Sequence, residues 1–279
     1  MTGFAPKRRF SQNFLTDPRT ADAIVQALEL KDGDHVLEIG PGTGVLTQRL
    51  AASAATRIVA VDVDPRAIEH VRAASWAAGG RVEAIESDVL RIDLNEMFTD
   101  VPRESVKVIG NIPYAITSDI LFWVFGQRRA LARCVLMMQR EVAKRCVADK
   151  GSKEYGILSV ATWFASMPKL LFNVKPGSFF PAPTVTSSVV RFDMRSGDPL
   201  PLPMHQYMDL VRAAFQQRRK VLSNGLESYC KATWGMSIKE LVSDVMEIDP
   251  RKRRAEELSP QELYDLWNAL SKAATEVRP

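Results

Sequence analysis

Residues 35–44 read HVLEIGPGTG, an apolar run that ends in three closely spaced glycines. The apolar run predicts a short buried strand, and residues 45–50 (VLTQRL) resume at helical spacing. Glycine allows positive φ angles and a close approach of the backbone to a ligand. Glu38 places a carboxylate inside the apolar run, and we expect it to contact the turn or another ligand-binding segment. We interpret this stretch as the strand, turn and helix that open a nucleotide-binding βαβ unit.

The composition of the chain limits the classes of protein it can belong to. Its 279 residues are 46% hydrophobic, enough for one large domain and a small one. The net charge of +4 permits a nucleic-acid partner without requiring one. Three widely spaced cysteines predict reduced core thiols rather than disulfides or a zinc site. No apolar run is long enough for a membrane span and no signal sequence is recognisable, so we expect a cytoplasmic protein with no membrane partner.

Acidic residues follow the next two predicted strands, each just beyond the point where the strand ends. Asp62 follows residues 57–61, and Asp88 follows residues 82–85. An acid about 20 residues past a glycine turn can bind both hydroxyls of a ribose. The second carboxylate can accept a hydrogen bond from an adenine amino group. Either acid alone is better explained as a loop or capping residue, but the two after successive strands favour a nucleoside site.

The fourth predicted strand, residues 106–110, runs into the tetrapeptide Asn111-Ile112-Pro113-Tyr114. The Asn111 side chain and the Ile112 carbonyl offer two hydrogen-bond acceptors. Pro113 stiffens the turn, and Tyr114 supplies a flat ring. Two acceptors beside a stacking ring suit a planar exocyclic amine. The alternative is an ordinary strand-to-helix turn with a buried tyrosine.

Two further segments carry aromatic residues that could cover a flat ligand. Residues 1–16 form an N-terminal arm whose amides are flanked by aromatic residues. This arm either covers the ligand site or simply packs on the domain. Residues 175–185 form a proline-stiffened loop containing Phe179 and Phe180. This loop is either a second wall for a flat substrate or a hydrophobic plug.

The sequence predicts two domains. Residues 1–195 alternate strands and helices, which indicates a doubly wound α/β domain. Residues 196–203 are a linker by their proline and glycine content. Beyond the linker the strand signals stop, and residues 204–279 predict a small all-α domain. Helical spacing predicts helices over residues 204–226, 238–246 and 260–270.

The predicted helical domain carries two basic clusters. One consists of Arg218, Arg219 and Lys220, and the other spans residues 251–254. Clusters of this kind suit RNA phosphates without sequence preference, although a solvated helix face has the same composition.

Two enzyme classes fit the predicted α/β domain. A dinucleotide-dependent oxidoreductase would use the glycine turn and the acids, but it has no candidate proton-transfer group and leaves residues 111–114 unexplained. A methyltransferase that uses S-adenosylmethionine accounts for the glycine turn, both acids and the tetrapeptide, and it requires no metal. The methyltransferase interpretation is therefore preferred.

Six motifs together resemble those of one family. They are QNFL (12–15), EIGPGTG (38–44), NIPY (111–114), FFPAPTVTS (179–187), FQQRRK (215–220) and RAEELS (254–259). On these motifs the chain resembles the small-subunit ribosomal RNA adenine dimethyltransferases of the KsgA type over nearly its full length. The resemblance implies a class I, Rossmann-like methyltransferase domain.

The resemblance also implies which residues contact the cofactor. The implied S-adenosylmethionine contacts are Asn13, Leu15, Gly40, Asp62, Asp88 and Asn111, and the glycine-turn analysis adds Glu38 and Gly42. The chain departs from the family pattern at two of its positions. Asp62 stands where the family usually has glutamate, and Ser11 stands where glycine is frequent.

The implied substrate is a pair of adjacent adenosines in the terminal hairpin loop of 16S rRNA, each dimethylated at N6. We expect the target base to be flipped out and held between Tyr114 and Phe179. The Asn111 oxygen and the Ile112 carbonyl then accept the two amino hydrogens, and S-adenosyl-L-homocysteine is the product.

The expected partner is 16S rRNA within the pre-30S subunit, bound by a monomer through Arg218, Arg219 and Lys220. Two alternatives stay open at this stage. One is a 23S rRNA adenine methyltransferase of the erythromycin-resistance type. The other is chiefly an assembly checkpoint factor for the small subunit.

Overall fold

The computed structural model describes residues 13–243 and 246–277 of the chain. Residues 1–144 and 165–196 form one compact unit, and residues 145–164 and 197–279 form a second. The expectations for Ser11 and Gln12 in the N-terminal arm lie outside the described residues.

The first unit is built on a seven-stranded sheet and a two-stranded one. The strands are β1 (Phe14–Leu15), β2 (His35–Ile39), β3 (Arg57–Asp62), β4 (Val82–Glu86), β5 (Val106–Asn111), β6 (Arg133–Gln139), β7 (Ser166–Val174), β8 (Phe179–Phe180) and β9 (Ser187–Met194). The large sheet has the order β4-β3-β2-β5-β6-β9-β7, and β1 pairs with β8. Strands β2 to β6 are parallel, whereas β9 is antiparallel to both β6 and β7. The predicted α/β class is confirmed.

Helices of the first unit begin where the sequence signals them. They are α1 (Pro18–Gln26), α2 (Val45–Ala51), α3 (Pro65–Ala73), α4 (Leu94–Met97), α5 (Thr117–Gly126) and α6 (Arg140–Cys146), the last ending in the second unit. Asp17 caps α1 and Asp64 caps α3, each accepting a backbone N–H two residues on, and each is followed by proline at the first helical position.

The order of the strands creates a crevice beside β2. The chain leaves β2 for β3 and β4 on one side, and then returns to place β5 and β6 on the other. Ligands of such sheets bind outside the carboxyl ends of the strands at this reversal. Gly110 lies opposite Ile39, and a Cβ there would approach the Ile39 carbonyl oxygen to 2.8 Å. The glycine therefore lets β5 approach β2 closely next to Asn111.

The central strands of the sheet are buried on both faces, as their continuous apolar sequences require. The central positions of β2, β3, β5 and β6 have almost no exposed surface. Cys134, Cys146 and Cys230 are buried free thiols, and burial raises the pKa of Cys146 and of Cys230 to about 12. This agrees with the prediction of reduced core thiols.

The second unit is helical. It contains most of α7 (Ile157–Ala165), together with α8 (Met204–Phe215), α9 (Leu222–Trp234), α10 (Ile238–Leu241) and α11 (Pro260–Val277). In the described part of the chain, no helix combines the length and the apolar character needed to cross a membrane.

Residues 145–164 belong to this helical unit, although the sequence placed them in the continuous domain 1–195. Aromatic packing explains the difference. Phe164 stacks on Tyr207 with ring centroids 5.5 Å apart, and Tyr155 packs edge-on against Phe215 at 5.8 Å. The apolar pattern of α7 predicts burial, but it does not say against which unit the helix is buried.

The predicted helix over residues 204–226 is wrong, because the chain reverses between Phe215 and Leu222. A Cβ at Gly225 would lie 2.5 Å from the Ala213 carbonyl oxygen, so α8 and α9 pack closely side by side. This packing requires a turn over residues 216–221. The basic residues 218–220 lie in that turn rather than on a helix face.

The other two predicted helices are present, but their lengths differ from the predicted ones. The helix predicted over residues 238–246 is confined to Ile238–Leu241 in the described residues, and the one predicted over 260–270 extends to Val277. Glu240 completes a capping box with Ser237 at the start of α10.

Candidate cofactor and substrate site

A cleft opens at the carboxyl ends of β2, β3 and β5, where the sequence predicts a ligand. It is lined by Asn13, Phe14, Leu15, Glu38, Gly40, Pro41, Gly42, Thr43, Val45, Leu46, Asp62, Val63 and residues 111–116. Four separate segments of the first unit therefore meet there. They are the end of the arm, the glycine turn, the end of β3 and the NIPY tetrapeptide.

The glycine turn lies between two aromatic rings. Gly42 has a φ of 51°, and a Cβ there would lie 2.9 Å from the Phe14 ring. Gly44 has a φ of 76°, and a Cβ there would lie 2.8 Å from the Trp76 indole. The backbone conformation and the two rings thus both require glycine, whereas the sequence suggested only the conformation and the approach of a ligand.

Glu38 is the most unusual polar residue of the cleft. It is 1% exposed, and its Oε2 has no hydrogen-bond partner among the described residues. Burial raises the pKa of this carboxyl to about 8, and the nearby negative charge of Asp62 acts in the same direction. A buried polar atom without a partner costs free energy unless a ligand supplies one. The site therefore fits a ligand that brings a hydrogen-bond donor or a positive charge.

Asp62 and Asp64, two positions apart, have different roles. Asp64 caps α3 and pairs with Arg66 at 2.5 Å. Asp62 lines the cleft, and its Oδ1 accepts the Asp64 N–H at 2.9 Å. Burial raises the pKa of Asp62 above its usual value. Asp62 is thus the acid that faces the ligand space, as its place after β3 predicts.

The side-chain amide of Asn111 is held in one orientation. Its Nδ2 donates to the Asn13 carbonyl at 3.0 Å. Because a carbonyl oxygen can only accept, this contact identifies which end of the amide is nitrogen. Oδ1 is therefore the atom that can accept a hydrogen bond from a ligand. The same contact ties the end of the arm to the tetrapeptide.

The rest of the tetrapeptide is anchored on two sides. Ile112 donates its N–H to the Met137 carbonyl at 3.2 Å, which fixes the turn on the end of β6. The Tyr114 hydroxyl lies 2.7 Å from the Ser187 hydroxyl at the start of β9. The phenol is half-buried, and burial raises the pKa of Tyr114. Since Ser187 is fully buried, the tyrosine ring is held at its hydroxyl end while Tyr114 lines the cleft.

Phe179 lies in the core rather than in the cleft. It is 5% exposed, sits opposite Leu15 in the β1–β8 pair and packs in the apolar core cluster. This is the hydrophobic plug that the sequence left open as the alternative. Its neighbour Phe180 is 65% exposed.

Asp88 and the basic cluster also differ from the simplest expectation. Asp88 is half-buried just beyond β4, where its Oδ1 accepts the Leu90 N–H at 3.0 Å, and it is not among the residues lining the cleft. Arg218 bonds to Glu256 at 2.8 Å and to the Ser152 carbonyl at 3.1 Å within the helical unit.

The neighbours of Arg218 in the turn, Arg219 and Lys220, are exposed. The N–H groups of Leu222 and Ser223 donate to the carbonyls of Arg253 and Pro250 at 2.9 Å. These two bonds bring the two basic clusters, which are far apart in the sequence, next to each other at the start of α9.

Several cleft residues were missed by sequence reasoning. Phe14 was noted only as an anchor of the arm, Ile116 received no role, and Ser187, which holds the Tyr114 hydroxyl from outside the cleft lining, was not singled out. Strands β1 and β8 are too short for an alternating apolar pattern to reveal which aromatic side chains face outward. Among residues 13–243 and 246–277 the structure shows no group of three or more His, Cys, Asp or Glu side chains that could hold a metal ion.

The geometry agrees with a comparison against known families. A family model described as ribosomal RNA adenine dimethylase matches residues 3–271. The chain belongs to the ribosomal RNA adenine dimethylase family. It is similar to the ribosomal RNA small subunit methyltransferase A of Salinibacter ruber, with 42% identity over 98% of this chain and 88% of the relative. Its resemblance to the small-subunit enzymes is thereby confirmed.

Two crystal structures have the same architecture. A dimethyladenosine transferase from Plasmodium falciparum has a TM-score of 0.75 and 25% identity, covering 93% of this chain and 98% of that one. The 23S rRNA methyltransferase ErmE has a TM-score of 0.65 and 24% identity, covering 93% and 100%, and shows the shared fold. This member of the family is therefore an rRNA adenine dimethyltransferase with a Rossmann-like domain. The oxidoreductase interpretation is not supported.

Proposed function

We propose that this chain transfers methyl groups from S-adenosyl-L-methionine to N6 of two adjacent adenosines in the 3′-terminal hairpin loop of 16S rRNA. The products are N6,N6-dimethyladenosines and S-adenosyl-L-homocysteine. The observation that carries the proposal is the fixed amide of Asn111. Its nitrogen is held by the arm, so its oxygen is the acceptor available to a base in the cleft.

The polar groups of the cleft fit the cofactor. We assign the ribose hydroxyls to Asp62, which lines the cleft. The buried Oε2 of Glu38, with the backbone of Gly40 and Gly42, suits the positively charged amino-acid end. The arm contributes Asn13 and Leu15. We assign the adenine amino group to Asp88, which lies on the same strand edge as Asp62 but outside the lining of the cleft.

The bound cofactor would supply a methyl group on a positively charged sulfur, and no metal is needed. The protein's part is to prepare the nucleophile. An adenine amino nitrogen is a poor nucleophile because its lone pair is delocalised into the ring. When the Asn111 Oδ1 and the Ile112 carbonyl accept its two hydrogens, the lone pair is directed out of the ring plane.

Positioning is then the main contribution to the rate. Tyr114, held by Ser187, stacks on the flipped base and keeps its amino group at the two acceptors. Pro113 keeps the turn stiff and has no N–H that could compete for the acceptors. Phe179 supports Leu15 from the core side, so in this arrangement Tyr114 is the ring that contacts the base.

Two transfers to one nitrogen require the site to accept a methylated amine. After the first transfer one N–H remains, so only one of the two acceptors is occupied. One acceptor is the side-chain oxygen of Asn111 and the other is the main-chain carbonyl of Ile112. Either of them can hold the remaining hydrogen. The two acceptors thus give the site a way to act twice on one base.

The rRNA would be held through the basic turn of the helical unit. Arg219 and Lys220 are exposed there and suit RNA phosphates, whereas Arg218 also stabilises the turn through Glu256. We propose the pre-30S subunit as the substrate particle, a monomer as the active form and the cytoplasm as its place of action.

A methyl-transfer assay with labelled cofactor tests the proposal. The substrates are small subunits that lack the two dimethyladenosines, naked 16S rRNA and large subunits. We expect two methyl groups on each of the two adenosines of the small subunit, recovered as N6,N6-dimethyladenosine.

Two other outcomes would overturn the proposal. Transfer only to large subunits would indicate a resistance-type enzyme. Tight binding of small subunits without transfer to any RNA would leave an assembly checkpoint factor.

A further inference from the structure

Several apolar side chains are exposed close to the cleft. Among the described residues the exposed large hydrophobic side chains are Val63, Leu90, Ile116, Met167, Phe180 and Val185. Val63 and Ile116 line the cleft itself. Phe180 is the most exposed of the set, and an aromatic ring in water is costly unless a partner covers it.

Phe180 stands at the rim of the cleft. It pairs with Phe14 across the two short antiparallel strands. Directly paired residues of antiparallel strands project from the same face. The Phe14 ring lies against Gly42 and lines the cleft, so Phe180 projects from the same face of the strand pair next to a cleft-lining residue. The proposed methyl transfer uses neither of these rings.

The backbone that presents Phe180 is held on both sides. Before it, the N–H and the hydroxyl of Thr16 both donate to the Ser178 carbonyl, at 2.8 and 3.1 Å. After it, Arg140 donates its N–H to the Thr186 carbonyl at 3.0 Å, and Ser187 bonds to Tyr114. The ring therefore stands on a fixed frame whose ends are tied to residues around the cleft.

We infer that Phe180 is a stacking platform for the nucleotide next to the adenosine whose amino group is in the cleft. The inference rests on the proposed function, in which the two target adenosines are adjacent in a loop. The neighbour of a flipped base is covalently attached to it and must pass the rim. Unpaired bases stack on exposed aromatic side chains without strong sequence preference.

This arrangement gives each of the two adenosines a place. While one occupies the cleft, the other rests on Phe180, and the two exchange places between rounds of transfer. Phe180 is then a substrate-positioning residue that contributes to RNA affinity and not to the chemical step.

The test compares three variants in steady-state methyl transfer. Phe180→Ala removes the ring, and Phe180→Trp keeps a stacking surface. Met167→Ala is the matched control, because Met167 is also an exposed apolar residue but lies at the opposite end of the sheet, paired with Asp193. Affinity for S-adenosyl-L-homocysteine is measured by calorimetry for every variant.

We expect Phe180→Ala to raise KM for the RNA substrate about tenfold with little change in kcat, as the loss of one base–aromatic stack predicts. Phe180→Trp restores KM, and Met167→Ala behaves as wild type. A Phe180→Ala protein with wild-type KM would overturn the inference. So would a variant whose cofactor affinity falls in parallel, since that would indicate a structural role.

The assay separates this inference from the proposed function. The comparison is made on whichever RNA the wild-type protein methylates. If the methylated RNA is that of the large subunit, the proposed function fails while the Phe180 comparison still gives a result. If small subunits are methylated and Phe180→Ala is unchanged, only the stacking inference fails.

Discussion

The two edges of the mainly parallel sheet differ in how fully their charged groups are paired. At the edge where the parallel strands begin and the antiparallel β9 ends, here called the amino edge, Lys107 and Asp34 form a buried ion pair. Four further side chains there form ion pairs of 2.6 to 3.0 Å with one another: Glu29, Arg133, Arg191 and Asp193. At the opposite, carboxyl edge, the buried Oε2 of Glu38 has no hydrogen-bond partner among the residues that the structure describes.

The difference shows where the fold is stabilised and where it is kept ready for a ligand. The ion pairs of the amino edge lower the cost of burying charge and stabilise the free protein. His35 Nδ1, at the start of β2, is the exception there, because it is buried without a hydrogen-bond partner among the described residues. An incompletely paired edge is destabilising until a ligand completes it. Exposed apolar side chains, Val63 and Ile116 among them, occur at the carboxyl edge as well. The comparison predicts that changes at the amino edge alter stability, whereas changes at the carboxyl edge alter binding and transfer.

The largest effect is expected at the amino edge. Lys107→Ala leaves the buried Asp34 carboxylate without its positively charged partner, which should lower the free energy of unfolding by about 3–5 kcal/mol. Chemical denaturation measures this change. Asp22→Ala breaks an exposed ion pair with Arg49 and should cost at most about 1 kcal/mol. Equal losses in the two variants would remove the distinction between a paired, stabilising edge and an ordinary surface.

A pH-dependent effect is expected at Glu38. In the folded protein this carboxyl keeps its proton up to about pH 8, whereas in the unfolded chain it loses it near 4.5. Between these values the folded state binds the extra proton, so stability contributed by this group falls as pH rises, by about 1.4 kcal/mol per pH unit. Glu38→Gln should lack that decline and become the more stable protein toward pH 8.

Urea unfolding at a series of pH values compares Glu38→Gln with wild type, and calorimetry measures cofactor affinity. We expect the variant to bind S-adenosyl-L-homocysteine more weakly in spite of its greater stability. Parallel pH profiles for the two proteins would show that the buried carboxyl is not kept neutral by its surroundings.

The smallest effect is expected in the basic turn of the helical unit. Charge reversal of Arg219 and Lys220 should weaken binding to small subunits and reduce the salt dependence of that binding by roughly one unit of slope per residue. Arg218 is left unchanged because it stabilises the turn through Glu256. Lys272→Glu, an exposed change on α11, is the control. An unaltered salt slope would remove the turn from the RNA-binding surface.

Much of the carboxyl edge could be predicted from local sequence. The glycine turn, Asp62 after its strand and the Asn111 tetrapeptide each follow from strand ends that coincide in a parallel sheet. The division of roles between Asp62 and Asp64 was also predictable, because a proline after Asp64 marks it as a helix cap. These inferences succeed because each depends on residues that are close together in the chain.

The features that escaped prediction depend on distant contacts. Whether Phe179 or Phe180 faces outward is decided by a two-residue strand that pairs with the arm. The end of α8 is decided by Gly225 packing on Ala213, and the place of residues 145–164 by aromatic partners in later helices. The pairing of Lys107 with Asp34 likewise joins strands whose sequence spacing carries no such signal.

The central claim is that the carboxyl edge holds the target amine through Asn111. It is tested most directly by single-turnover methyl transfer with Asn111→Ala, alongside calorimetry of S-adenosyl-L-homocysteine. Because the variant lacks one of the two acceptors, transfer should slow by about 10²–10³-fold, similar to the loss of one preorganised hydrogen-bonding group. Cofactor affinity should fall much less than the transfer rate, because Glu38, Asp62 and the glycine turn are unchanged. Transfer at the wild-type rate would contradict the claim.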